Sequence, residues 1–138
     1  MERDNVYSHF DDGYNYLLKS DQNYDLIISN VPTPQYSVAS KIWTYDFFKL
    51  TKMHLNPGGI FSMWVNGAMN PKAIEIVLKS LSQVYEHCYV GFIHSMYSNI
   101  MCSNQPIKVN TPNYVKSGED INNYNKKYTL NEISYLLF

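Results

Sequence analysis

Two runs of consecutive apolar residues, Tyr24–Ser29 (YDLIIS) and Gly59–Val65 (GIFSMWV), set the strongest limit on how this chain folds. Neither alternates strictly between polar and apolar, so neither suits a strand with one wet face. The pattern belongs to strands covered on both faces in a parallel sheet. Between them, Ala39, Ile42, Trp43, Phe47, Leu50 and Met53 recur at spacings of three and four. That spacing predicts an amphipathic helix over Ser37–Leu55, stopped by Asn56-Pro57-Gly58-Gly59. Strand, helix and strand in that order call for a right-handed crossover, with the two strands as adjacent central members of one sheet.

The remaining periodicity extends the same alternation. Val6–Phe10 reads as a first strand closed by Asp11-Asp12-Gly13, and Tyr14–Ser20 as a short helix. Asn30–Gln35 holds two prolines and must be a loop. Asn70-Pro71 has the form of a helix cap followed by proline at the first helical position, ahead of the stripe Ile74, Val77, Leu78, Leu81, Val84. Cys88–His94 and Asn99–Ser103 read as two final strands forming an antiparallel hairpin. Residues 104–138 form an Asn-rich tail, in which Thr129 and Glu132 resemble a capping box opening a last helix. The expected fold is α/β, a mostly parallel, doubly wound sheet ending in an antiparallel hairpin.

At 138 residues this is one domain or part of one, with 45% hydrophobic and 17% charged residues. A net charge of -1, with no like-charge block, provides no field for nucleic acid or an anionic membrane surface. The polar start and the absence of a long apolar run argue for a cytoplasmic protein, and hence for two free thiols at Cys88 and Cys102. Cysteine and histidine spacings suit no metal site. The 13 tyrosines read as compositional drift toward A/T-rich codons rather than as an aromatic binding surface.

In an open α/β sheet, ligands sit beyond the carboxyl ends of the strands, which draws attention to two segments. At the first, Asp12 offers a carboxylate for an exocyclic amine and Gly13 lets a ligand approach the backbone; the plainer role for Asp12 is to cap the following helix. At the second, Asn30 provides an amide that orients an amine but takes no proton, in a loop stiffened by its prolines. His9, His54, His87 and His94 lack triad-like spacing. Neither a GxSxG elbow nor a glycine-rich nucleotide loop is present.

The stretch DDGYNYLLKSDQNYDLIISN, followed by TPQYSVASKIWTYDFFKLTKMHLNPGGIFSMWV, resembles the spermidine synthase (polyamine aminopropyltransferase) family over about residues 5–103. The likeness rests on a strand ending in Asp-Gly, a YDvII strand, a proline-containing loop, a helix with a Phe/Tyr pair, and LxPGG. It implies a Rossmann-like methyltransferase fold whose ligand is S-adenosylmethionine or its decarboxylated form, with a small-molecule amine as acceptor and no metal. By position, Asp12, Gly13 and Pro34 fall on the cofactor side. Asn30 and Thr33 fall where the family has the acid that deprotonates the amine and a second acid that holds it.

Neither Asn30 nor Thr33 accepts a proton at neutral pH, so the resemblance implies a degenerate synthase. The family's glycine-rich loop and two inner strands precede the matched region, so residues 1–103 are expected to be an N-terminally incomplete domain. Its open edge at Tyr24–Ser29 is expected to pair with the missing segment or with another copy. Two alternatives stand beside this. Ser29-Asn30-Val31-Pro32 also resembles the loop of amine methyltransferases, and the chain also suits a non-catalytic binding or assembly module.

Overall fold

A computed structural model describes residues 7–31, 34, 40–94 and 97–108. Its elements are α1 (Gly13–Lys19), β1 (Tyr24–Ser29), a 3-10 turn (Ser40–Trp43), α2 (Tyr45–Met53), β2 (Leu55–Asn66), α3 (Pro71–Val84), β3 (His87–His94) and β4 (Tyr97–Ser103). They form the expected α/β fold around one four-stranded sheet of order β1-β2-β4-β3. β1 and β2 are parallel neighbours, and β4 runs antiparallel to both β2 and β3. The last strand therefore enters between β2 and β3, so that β1 and β2 are adjacent as expected, but β1 lies at an edge of the sheet formed by the described residues and not at its centre.

Register assigns the side chains to two faces. Phe61 lies opposite Cys102 and Met63 opposite Ile100, and all four are buried. This is the core face, where Phe47 and Phe48 of α2 and Val77 and Leu81 of α3 join one hydrophobic cluster. The Phe61 ring stacks on Tyr85 with centroids 6.0 Å apart, and meets Phe47 edge-on at 6.2 Å. Lys52 Nζ donates to Val84 O at 2.7 Å, tying α2 to the carboxyl end of α3. α1 joins the same layer through buried Leu17 and the Tyr14–Phe47 ring contact.

The structure departs from the sequence expectations at several places. Tyr7–Phe10 form no strand, with Phe10 fully exposed, and Val6 lies outside the described residues. Among the described residues, no strand pairs with this segment. The helix expected over Ser37–Leu55 is divided at Thr44. There the backbone is extended (φ -101, ψ 155), and Thr44 Oγ1 accepts from Phe47 N while donating to Lys41 O at 2.7 Å. A side chain able to satisfy both the end of one turn and the start of the next helix offsets the break in the ladder.

β1 is not covered on both faces. Leu26 and Ile28 are 52% and 66% exposed, while Ile27, on the core face, is half-buried. β2 starts earlier than expected, at Leu55, and takes in the Pro-Gly-Gly segment as an irregularity: Tyr24 pairs with Leu55, yet Leu26 pairs with Ile60. Gly58 turns the chain at φ +80, and a Cβ on Gly59 would lie 2.9 Å from Asn56 O and 3.0 Å from Tyr24 O.

The two cysteines are not free. Cys88 and Cys102 sit directly opposite across β3 and β4, with Cα atoms 4.1 Å apart, and are joined as a disulfide. Composition and compartment argue only about whether a disulfide persists; the hairpin register decides that these thiols meet. The caps are as expected at Asn70, whose side chain accepts from Lys72 N with Pro71 at the first helical position. The Asn-rich tail is described only to residue 108, without helix or strand, and the helix expected from Thr129 lies outside the described residues. No helix among the described residues is long and apolar enough to cross a membrane.

Candidate functional site

A cleft of about 710 Å³ opens between α1 with its preceding residues and the carboxyl half of β1. That volume is in the range of small-molecule sites, roughly 300–1,000 Å³. Asp12, Gly13 and Asn30 all line it. The two segments singled out from the sequence therefore meet in one place. Thr33 lies outside the described residues, and Pro34, half-buried in a turn, is not among the residues lining the cleft.

Asp12 does the plainer job foreseen for it. It is the N-cap of α1, its Oδ1 accepting from Asn15 N at 3.1 Å, and Asp11 accepts from Asp12 N while facing Lys19 at 3.6 Å. One carboxylate oxygen of Asp12 fixes the start of the helix, and the residue also lines the cleft. Gly13 opens the helix, and a Cβ there would meet nothing within 4 Å, so space rather than backbone strain distinguishes the position. Asn30 follows buried Ser29 at the end of β1 and is itself exposed.

Sequence reasoning missed the cleft's aromatic wall. Tyr7, Tyr16 and Tyr24 line it together with His9, whose ring lies 4.9 Å from that of Tyr16. The Tyr24 hydroxyl stands 3.5 Å from that of Tyr16 and 3.4 Å from Ser20 Oγ, a chain of hydroxyls from β1 to α1. The contact with Tyr24 holds the Tyr16 phenol above its ordinary pKa. Assigning tyrosine abundance to compositional drift hid this wall, although Tyr16 and Tyr24 flank the very segments already suspected. A hydroxylated aromatic wall facing a carboxylate and an amide suits a flat, polar-edged ligand.

Among the remaining histidines, His54 is structural: its Nδ1–H donates to Gln22 O at 2.9 Å, beside the Tyr24 N to His54 O bond that starts the β1–β2 pairing. Among the described residues, no group of three or more His, Cys, Asp or Glu side chains is arranged to hold a metal ion.

Comparison with known families decides the relationship. The model of the spermine/spermidine synthase domain matches residues 1–108. The chain belongs to the spermine/spermidine synthase family. Among solved structures it is similar to a spermidine synthase in complex with the transition-state analogue AdoDATO, at 20% identity and a TM-score of 0.61, over 70% of this chain and 36% of that one. It is similar to a spermidine synthase from Thermotoga maritima at 22% identity and a TM-score of 0.53, over 67% and 33% of the two chains. Human methyltransferase-like protein 13, in complex with SAH, is similar at 20% identity and a TM-score of 0.66, over 89% of this chain and 60% of that one. These likenesses establish a Rossmann-like, methyltransferase-type fold. The chain spans about a third of the length of the two spermidine synthases.

Proposed function

We propose that this chain is a spermidine synthase-like binding domain, taking an S-adenosylmethionine-type nucleoside beside an amine, without aminopropyltransferase activity of its own. One observation carries the reading: Asp12, Gly13 and Asn30 line a single cleft, and Asn30, which by resemblance falls where the family has the acid that deprotonates the amine, is an amide. On this reading the Asp12 oxygen not used in capping accepts from the adenine amino group, and the tyrosine wall receives the flat base. Gly13 leaves room for it, and Pro34 stiffens the adjoining loop on the cofactor side.

Asn30 orients the acceptor amine through its side-chain oxygen, with Thr33 following in the same loop. An amide takes no proton at neutral pH, so nothing at Asn30 frees the nitrogen lone pair of an ammonium substrate. Losing a general base costs about 10²–10⁴ in rate. Residues 1–103 carry this function, with 104–138 as a tail. A cytoplasmic setting and a place in polyamine metabolism accompany the reading, the buried Cys88–Cys102 bond being shielded from attack by other thiols.

Calorimetric titration with decarboxylated S-adenosylmethionine and with S-adenosylhomocysteine tests binding, and a putrescine assay tests turnover. Binding without product is expected. Aminopropyl transfer in the ordinary range of about 1–10³ s⁻¹ overturns the inactive assignment. Methyl transfer from S-adenosylmethionine to an amine replaces it with an amine methyltransferase, and absence of nucleoside binding leaves a non-catalytic assembly module.

A further inference from the structure

A second hollow, sharing no lining residue with the cleft, lies where α2, the end of α3 and the residue after β4 meet. Its volume is about 370 Å³, within the size range of small-molecule sites. β4 runs antiparallel to β2, from Tyr97 opposite Asn66 to Cys102 opposite Phe61, so Asn104 lies toward the amino end of β2. The cleft, by contrast, follows the carboxyl half of β1, which is parallel to β2. Tyr45, Lys49 and Lys52 line the hollow from α2, at spacings of four and three that put them on one helix face. Gln83 and Val84 belong to the end of α3, and Asn104 completes the lining.

Two needs of this hollow are unmet by the chain itself. The first is charge. Lys52 Nζ donates to Val84 O at 2.7 Å, which fixes the ammonium and covers a carbonyl at the end of α3 that would repel an anion. That bond uses one of its three N–H donors. Among the described residues, no carboxylate forms an ion pair with Lys49 or Lys52, and neither Asp46 nor Glu86 lines the hollow. Two like charges about one turn apart on α2 therefore stand without a counter-ion. The second need is a hydrogen-bond donor. Asn104 is half-buried, its Oδ1 is shut off from solvent, and no donor among the described residues meets it. Buried polar atoms nearly always have a partner, so this oxygen points to a group that the chain does not supply.

We infer that the hollow is a second ligand site, separate from the cleft, that takes a small phosphate monoester carrying a hydroxyl group. The two ammonium groups hold the phosphate, and the ligand hydroxyl donates to Asn104 Oδ1. Phosphate fits better than carboxylate because two lysines act as separate point charges, which suit an anion with oxygens on several sides. A planar carboxylate is matched instead by the fork of an arginine.

Calorimetric titration of the full 138-residue chain with glycerol 3-phosphate, and separately with inorganic phosphate and with glycerol, tests the inference. Glycerol 3-phosphate is expected to bind about ten-fold more tightly than inorganic phosphate, the order of one hydrogen bond to a buried group, and glycerol not at all. Lys49→Gln, at an exposed position, is expected to keep the melting temperature and to weaken both phosphate ligands by about ten-fold. Asn104→Ala should bring glycerol 3-phosphate down to the affinity of inorganic phosphate, which itself stays unchanged. S-adenosylhomocysteine, directed to the cleft, should displace neither. Absence of glycerol 3-phosphate binding at millimolar concentration overturns the inference, as does binding that ignores Lys49→Gln or yields to S-adenosylhomocysteine. Equal wild-type affinities for the ester and for inorganic phosphate also overturn it, since Asn104 then receives nothing from the ligand. Should Asn104→Ala fail to fold, the ratio of those two affinities and the effect of Lys49→Gln decide without it.

Discussion

The Tyr85 hydroxyl lies 2.8 Å from Thr51 Oγ1, joining the residue after α3 to the last turn of α2 inside the core. Thr51 is fully buried and its hydroxyl hydrogen is directed to Phe48 O at 2.8 Å, so Tyr85 is the donor. The pair lets a polar group cross an apolar layer without an unmet hydrogen bond.

Burial raises the Tyr85 phenol well above its ordinary pKa, because ionising it would leave a charge in the core. A raised folded-state pKa means that the folded form holds the proton more tightly. The corresponding stability is fully present below about pH 10 and is lost as pH rises from there through the folded-state value. Tyr85→Phe is expected to cost about 1 kcal/mol at neutral pH through the lost hydrogen bond. It should also flatten the alkaline loss of stability. Urea unfolding followed from pH 7 to 11 measures both; an unchanged alkaline slope would show that Tyr85 does not control it.

The Cys88–Cys102 disulfide closes a loop with a sequence separation of 14 residues. Removing it by Cys88→Ala with Cys102→Ala is expected to destabilise the fold by about 3 kcal/mol, from loop-closure entropy regained by the unfolded chain. Alkylation of the unfolded protein checks the bond itself. Both thiols should react only after reduction, and label taken up without reductant would contradict the pairing.

Gly59 is closed in by backbone oxygen on two sides. Gly59→Ala is expected to destabilise by about 1–3 kcal/mol, since the new methyl group overlaps Asn56 O and Tyr24 O and must displace backbone rather than a flexible side chain. Gly13→Ala is the control. Its Cβ meets nothing nearby, and alanine in a helix is expected to gain a few tenths to about 1 kcal/mol. Equal melting temperatures for the two variants would refute the argument.

Asp12 carries two roles that substitution separates. Asp12→Ala removes the cap of α1 and is expected to cost about 0.5–2 kcal/mol of stability. Asp12→Asn keeps an oxygen for Asn15 N but puts an amide donor where the free carboxylate oxygen was. Stability should hold, while affinity for an adenine nucleoside falls by about ten-fold or more, the size of a hydrogen bond to a charged group. Binding unchanged in Asp12→Asn, measured by calorimetry, would confine Asp12 to its structural role.

What the amino-acid sequence determined was local. The Asn70-Pro71 cap, the Asp12 cap, the stripe through Val77 and Leu81, and the strand character of Tyr24–Ser29 and Gly59–Val65 each depend on neighbours within a few residues. Spacing alone therefore reveals them, whereas Asp12 and Asn30 share a cleft although Tyr7–Phe10 form no strand: Asp12 caps α1, and α1 lies beside β1. Thr44 marks the limit of that reasoning. Its neighbours fit a continuous apolar period, yet a threonine that can close one turn and cap the next divides the helix.

The tertiary structure decided everything set by strand order and register. No local signal inserts β4 between β2 and β3, and that insertion brings Cys88 opposite Cys102. Nor does the run YDLIIS reveal that one of its faces stays open. Apolar composition states what a strand would gain by burial, while the elements that pack around it decide whether Leu26 and Ile28 are covered. The tyrosine wall of the cleft arises in the same way, from α1 docking beside β1, because Tyr16 and Tyr24 become neighbours only once both elements are placed.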